Sequence, residues 1–166
     1  MNAKIKSFQE VCKISKDFQE KNKKIVFVHG IFDILHRGHV YLLNEARKLG
    51  DILIVGVDHD YNAKILKGKG RPINNHDDRM FMISNLQCVD FVFLIPSYTD
   101  IKNINKFMDD IYLKLNPDIA VTSLKAGKYG ELKKESARVS NTKFVDISGY
   151  IHSKNTTKTL KILGLE

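Results

Sequence analysis

The sequence predicts an α/β fold: an open parallel sheet of about five strands with helices on both faces, preceded by an N-terminal helix. Three observations lead there. Short apolar runs alternate with helical patterns along the chain. The first two runs flank a segment with Leu42, Leu43, Ala46 and Leu49 at helical spacing, which makes a βαβ unit. A turn bearing glycines and histidines follows the first run, at the end of a parallel strand where such sheets hold ligands.

In chain order, a lysine-rich leading helix runs from about Ser7 to Gln19 and packs outside the first βαβ unit. Strands are expected at Lys24–Val28, Ile52–Val57, Phe91–Leu94, Ile119–Val121 and Phe144–Ile147. The helix between the first two stops at Gly50, read as a C-terminal glycine before Asp51. Further helices are expected at about Asp77–Leu86, Ile101–Leu115 and Thr156–Leu163, which completes a Rossmann-like order. Pro72, Pro96 and Pro117 fall at element boundaries.

The 166 residues, 43% of them apolar, suit one domain over 1–166, with a leading helix in 1–22 and a core in 23–166. No run approaches the roughly 18 apolar residues of a membrane span, and the start Met1-Asn2-Ala3-Lys4-Ile5-Lys6 has no apolar signal stretch. A cytoplasmic protein without a membrane partner is expected. Cys12 and Cys88 lie far apart and outside any Cys-x-x-Cys spacing, so two reduced thiols are expected, with no disulfide and no protein metal site. The formal charge of +8 suits an anionic ligand or a solvated lysine-rich surface. Its basic residues are dispersed and lack an aromatic-basic RNA-reading motif, so nucleic acid is not an expected partner.

Chemistry concentrates in His29-Gly30-Ile31-Phe32-Asp33-Ile34-Leu35-His36-Arg37-Gly38-His39. His36 and His39, spaced i, i+3 at a helix's first turn, can present two donors on one face beside free backbone N–H groups. Gly38 and Gly30 remove β-carbons where a ligand approaches. Asp33 reads better as an acceptor for loop amides than as a catalytic group.

Gly-x-Phe-Asp followed by His-x-Gly-His resembles the signature of the cytidylyltransferase-like nucleotidyltransferases, which pass a nucleoside monophosphate from a nucleoside triphosphate to a phosphorylated acceptor. The resemblance implies catalytic roles for His36 and His39 and nucleotide contacts from Gly30, Ile31, Phe32, Asp33 and Gly38. Leu66-Lys67-Gly68-Lys69-Gly70-Arg71-Pro72-Ile73-Asn74 with Asp78-Arg79-Met80 is similar to a segment of the bacterial D-glycero-β-D-manno-heptose 1-phosphate adenylyltransferases. Those enzymes often form the second half of a bifunctional ADP-heptose synthase, and the likeness here, from about Lys6 to Leu160, is to that half. It implies a catalytic Lys67, a nucleotide-binding Arg79 and acceptor contacts from Lys64, Arg71 and Lys125. Lys64 and Lys69 read equally well as solvated lysines, while Arg71 and Arg79 offer planar forks to phosphate oxygens. Asn155-Thr156-Thr157 resembles the Ser-Thr-Thr that opens the family's last helix against the triphosphate, and serves simple capping equally well.

The resemblance further implies ATP with Mg2+ and a phosphorylated small-molecule acceptor as partners, and leaves a homodimer open. Several positions depart from the pattern. His29 replaces the usual Asn or Thr, Asp78 the usual Glu, and Lys125-Ala126-Gly127-Lys128-Tyr129 a Lys-Gly-Gly-Asp-Tyr. Ser148-Gly149-Tyr150-Ile151-His152-Ser153-Lys154 lacks the arginine that related cytidylyltransferases carry there, which favours ATP. Two alternatives stay open: a CTP-dependent enzyme acting on glycerol 3-phosphate or a related alcohol, and a silent nucleotide-binding regulator.

Overall fold

The computed structural model describes residues 2–98, 103–123 and 128–147. Its elements, in order, are α1 (Phe8–Gln19), β1 (Ile25–Gly30), α2 (Arg37–Arg47), β2 (Ile52–Asp58), α3 (Asp60–Lys67), α4 (His76–Ser84), β3 (Phe91–Ile95), α5 (Ile104–Leu115), β4 (Ile119–Thr122), α6 (Lys128–Val139) and β5 (Lys143–Asp146). The strands form one five-stranded sheet in the order β3-β2-β1-β4-β5, with every pairing parallel.

Strands buried on both faces read as continuous apolar runs, and Ile25-Val26-Phe27-Val28 is fully enclosed. Alternation then divides the core in two. Val26, Val28, Leu53 and Val55 face Leu43 and Ala46 of α2 and Met80 and Ile83 of α4. On the other side Ile25, Phe27, Ile54 and Phe93 meet Val11 of α1, Met108 and Tyr112 of α5, and Ala137 of α6.

A capping box starts α1: the Glu10 amide donates to Ser7 Oγ and the Ser7 amide to the Glu10 carboxylate. The helix covers the sheet through Phe8, whose ring stacks on Phe93 at 5.3 Å. Just before it, the Lys6 amide donates to the Val92 carbonyl and the Val92 amide to the Lys4 carbonyl, both at 2.9 Å. That bridge shields the exposed edge of β3.

Two helices differ from expectation by being present at all, α3 and α6. Gly50 also acts differently. Helix α2 ends at Arg47 with Lys48 as its C-cap, and a β-carbon on Gly50 would sit 2.6 Å from Val26 Cγ2 and 2.9 Å from the Lys24 carbonyl oxygen. Close approach to β1, rather than a left-handed stop, requires glycine there. The expected helix at Thr156–Leu163 lies outside the described residues, as do Ile101 and Lys102 ahead of α5.

From β1 the chain builds outward through β2 to β3, then returns to place β4 on the other side of β1. The carboxyl ends of β1 and β4 therefore bound the crevice where parallel α/β sheets take ligands.

Candidate active site

Beyond Gly30 the chain turns through Phe32 and Ile34, both with positive φ (53° and 47°), before entering α2. A left-handed conformation is unusual for a β-branched residue and is a form of strain found at functional loops. The loop is pinned from two sides. Asp33, buried, accepts the amides of Ile73 at 2.8 Å and Asn74 at 3.1 Å, and lies 3.5 Å from the Arg71 guanidinium. Arg79, fully enclosed, donates through Nη1 to the Ile31 carbonyl, through Nε to the Asn74 carbonyl at 3.0 Å, and through Nη2 to the Asp58 carbonyl and the Asp60 carboxylate. One guanidinium thus ties β1, β2 and the turn before α4 together.

His36 is the N-cap of α2. Its Nδ1 accepts the Gly38 amide at 3.1 Å, which leaves the proton of the neutral ring on Nε2 and makes that edge a donor. The His39 ring stacks on it at 3.9 Å and 22°, with its other side edge-on to Phe32 at 5.4 Å. Burial, reinforced by His36, depresses the His39 pKa to about 3, so the ring is neutral at physiological pH. Its Nδ1 is buried and has no hydrogen-bond partner among the described residues.

The free first-turn amides expected here are committed instead. Gly38 serves His36 Nδ1, while the His39 and Val40 amides bond the His36 carbonyl. Those three amides are therefore taken up within the turn itself.

A family model described as cytidylyltransferase-like matches residues 27–149. The chain belongs to the cytidylyltransferase-like family. Over 110 residues it is 46% identical to the bifunctional protein HldE of a Nitratiruptor species, covering 66% of this chain and 24% of that protein. Over 163 residues it is 37% identical to the bifunctional protein HldE of Sulfurimonas denitrificans, covering 96% of this chain and 31% of that protein. The chain therefore spans between about a quarter and a third of the length of these curated relatives. A crystal structure of the lipopolysaccharide core biosynthesis protein from Thermoplasma volcanium superposes with a TM-score of 0.59 at 32% identity, covering 78% of this chain and 99% of that one.

Within this cytidylyltransferase-like frame the expected site residues separate. Gly30, Ile31, Phe32, Asp33, His36, Gly38 and His39 share the β1–α2 junction. Phe32 is buried beneath His39. Arg71 and Arg79, expected to fork phosphates, are instead drawn inward: Arg71 against Asp33 and Arg79 onto carbonyls and Asp60. A buried carboxylate and a set of strand-end carbonyls hold a planar cation better than solvent does. Lys64 and Lys67 stand exposed on α3. The atoms nearest a β-carbon on Gly30 would be those of the Phe32 ring, from 3.4 Å. Lys125, Asn155, Thr156 and Thr157 lie outside the described residues.

Sequence reading also missed a cation. Lys133 of α6 is 5% exposed and its Nζ donates to the His29 carbonyl at the end of β1. Nothing in the surrounding Lys128–Val139, rich in charge, distinguishes it before folding. A second missed group is the pair His59 and His76, stacked at 4.6 Å, with His76 Nδ1 donating to Asp60 at 2.9 Å. Burial raises the Asp60 carboxyl, but the hydrogen bonds from Arg79 and His76 outweigh it and hold the pKa below its ordinary value.

Proposed function

We propose that the chain is a nucleotidyltransferase that moves a nucleoside monophosphate, AMP in preference to CMP, from its triphosphate to a phosphorylated sugar such as heptose 1-phosphate, releasing pyrophosphate. The observation that carries this is the stacked His36–His39 pair at the strand-to-helix junction of the sheet's switch point. The likeness to HldE proteins and to a lipopolysaccharide core biosynthesis protein supports the sugar-phosphate side of the reading.

An oxygen of the acceptor phosphate attacks the α-phosphorus, and the bond to the bridging β-phosphate oxygen breaks. A monoester with a second pKa near 6 is already dianionic at pH 7, so no base is needed. The protein's task is positioning and donors for the charged equatorial oxygens. His36 offers Nε2–H, and the buried, unpartnered Nδ1 of His39 is relieved of a desolvation cost of about 1–3 kcal/mol when a ligand or water reaches it. Among the described residues no cluster of His, Cys, Asp or Glu converges to hold a metal. Magnesium, carried on the triphosphate, would supply positive charge to the leaving pyrophosphate.

Magnesium-dependent pyrophosphate release tests this, with ATP and CTP each offered D-glycero-β-D-manno-heptose 1-phosphate and glycerol 3-phosphate. Release with ATP and the heptose phosphate is expected. Release only with CTP and glycerol phosphate replaces the substrates, and nucleotide binding without any release replaces the activity by a regulatory one.

A further inference from the structure

The carboxyl end of β1 carries a second concentration of charge, on the side of the sheet away from α2. Residues 25, 27 and 29 face α1, α5 and α6, and there the His29 ring lies against Phe27 at 5.2 Å and edge-on to Tyr112 at 5.9 Å. Lys133 reaches in from α6 to the His29 carbonyl. Asp58, also fully buried, ends the neighbouring strand β2, and Lys67 ends α3 just beyond it.

We propose that Lys133 and Lys67 form the subsite for the acceptor's phosphate monoester, opposite the His36–His39 pair across the end of β1, with Lys133 setting acceptor affinity. The assignment rests on the nucleotidyl-transfer reading. It goes further by naming Lys133, a residue that none of the quoted motifs includes.

Burying a lysine is costly unless the charge is used, and this one sits at the ligand-binding edge of the sheet rather than in the middle of the core. Lys67 lies near enough to act on it as a like charge, against the attraction of Asp58. A phosphate dianion between the two ammonium groups turns that repulsion into two attractions. Finally, in-line transfer requires attacker and leaving group on opposite sides of the α-phosphorus. The histidines lie on the α2 side of β1 and Lys133 on the α6 side.

The titration follows from the surroundings. Burial pushes Lys133 down to about 8, Asp58 opposes this and Lys67 adds to it. His29 on β1 is held neutral by burial and by Lys133, and the Tyr112 hydroxyl on α5 is pushed up by burial. At pH 8 Lys133 is therefore about half charged, and a bound dianion completes its protonation. Acceptor binding should take up to about half a proton. The phosphate is fully ionised at that pH and contributes none.

The experiment is calorimetric binding of D-glycero-β-D-manno-heptose 1-phosphate, and of glycerol 3-phosphate, at pH 8 in two buffers of different ionisation enthalpy, with steady-state KM values for acceptor and ATP. The unaltered protein should show proton uptake. Lys133→Met should abolish it and raise the acceptor KM tenfold or more, with the ATP KM within twofold. Lys133→Arg should restore the KM without the uptake, because arginine does not titrate there. An unchanged acceptor KM in Lys133→Met, a rise in the ATP KM instead, or uptake persisting in either variant overturns the assignment. Should Lys133→Met not fold, the uptake in Lys133→Arg still decides it. Failure of the unaltered protein to bind or turn over either acceptor defeats the transfer reading itself, a different result from turnover indifferent to Lys133.

Discussion

His36 and His39 stack with ring centroids 3.9 Å apart, a separation at which two imidazolium charges would repel by about 4 kcal/mol at an effective dielectric near 20. The pair therefore carries at most one charge. His39, the more deeply placed, is the one that stays neutral. The two rings then differ: His36 keeps its Nε2 edge as a donor, while His39 carries a buried Nδ1 with no hydrogen-bond partner among the described residues.

Neutral His39 has a visible titration. Its ring resonances should remain those of a neutral imidazole down to about pH 4, whereas a surface histidine titrates near its ordinary value of roughly 6.5. The sign for stability follows. Below 6.5 the unfolded chain binds a proton that the folded chain refuses until about pH 3, so stability falls as pH drops through that window, by several kcal/mol in order of magnitude. His39→Gln should fall less steeply in urea denaturation over the same range. Equal slopes for the two proteins would refute the neutral ring.

Arg79→Lys should cost about 2–4 kcal/mol of stability. A single ammonium cannot reach the Ile31, Asn74 and Asp58 carbonyls and the Asp60 carboxylate together, and some of these buried acceptors lose their donor. Chemical denaturation midpoints measure this. A change below about 0.5 kcal/mol would mean that the staple is not structural.

Asp33→Ala should release the amides of Ile73 and Asn74 and remove the Asp33 carboxylate from beside Arg71. Hydrogen exchange at those two amides should quicken to loop-like rates, with a loss of about 2–4 kcal/mol overall. Retained protection at both would show that the loop is held by something else.

Gly50→Ala forces a β-carbon against Val26 Cγ2 and the Lys24 carbonyl, the latter a backbone atom that cannot swing away. Destabilisation by about 1–3 kcal/mol is expected, measured as a drop in Tm. A variant as stable as its parent would contradict the packing described between the end of α2 and β1.

The central strands were legible because they are enclosed on both faces, so Ile25–Val28 announces itself as an unbroken apolar run, and the apolar run Phe91–Leu94 marks β3 although two of its residues are half-buried. Ser7 and Glu10 mark the start of α1 for a similar reason, a local hydrogen-bond logic written within one turn. Helix α6 left no such trace. The residues it buries include Lys133, Ser136 and Ala137, two of them polar, so its inward face has no apolar period. In α3 the buried positions are Asn62 and Ala63, and Asn62 is used to bond the Pro96 carbonyl and the Tyr98 amide. The i, i+3 spacing of His36 and His39 was enough to bring their rings onto one face, where they stack, yet the inward turn of Arg71 and Arg79 could not be read. A guanidinium suits phosphate and carbonyl alike, and only the fold decides which it meets.

Pyrophosphate release by His39→Ala, compared with the unaltered protein under the same saturating nucleotide and acceptor, decides whether transfer takes place at the stacked pair. Loss of a donor to the developing charge should lower kcat by about a hundredfold or more while the denaturation profile at pH 7 stays close to that of the parent. Near-normal turnover in a well-folded His39→Ala protein would contradict nucleotidyl transfer at the stacked pair.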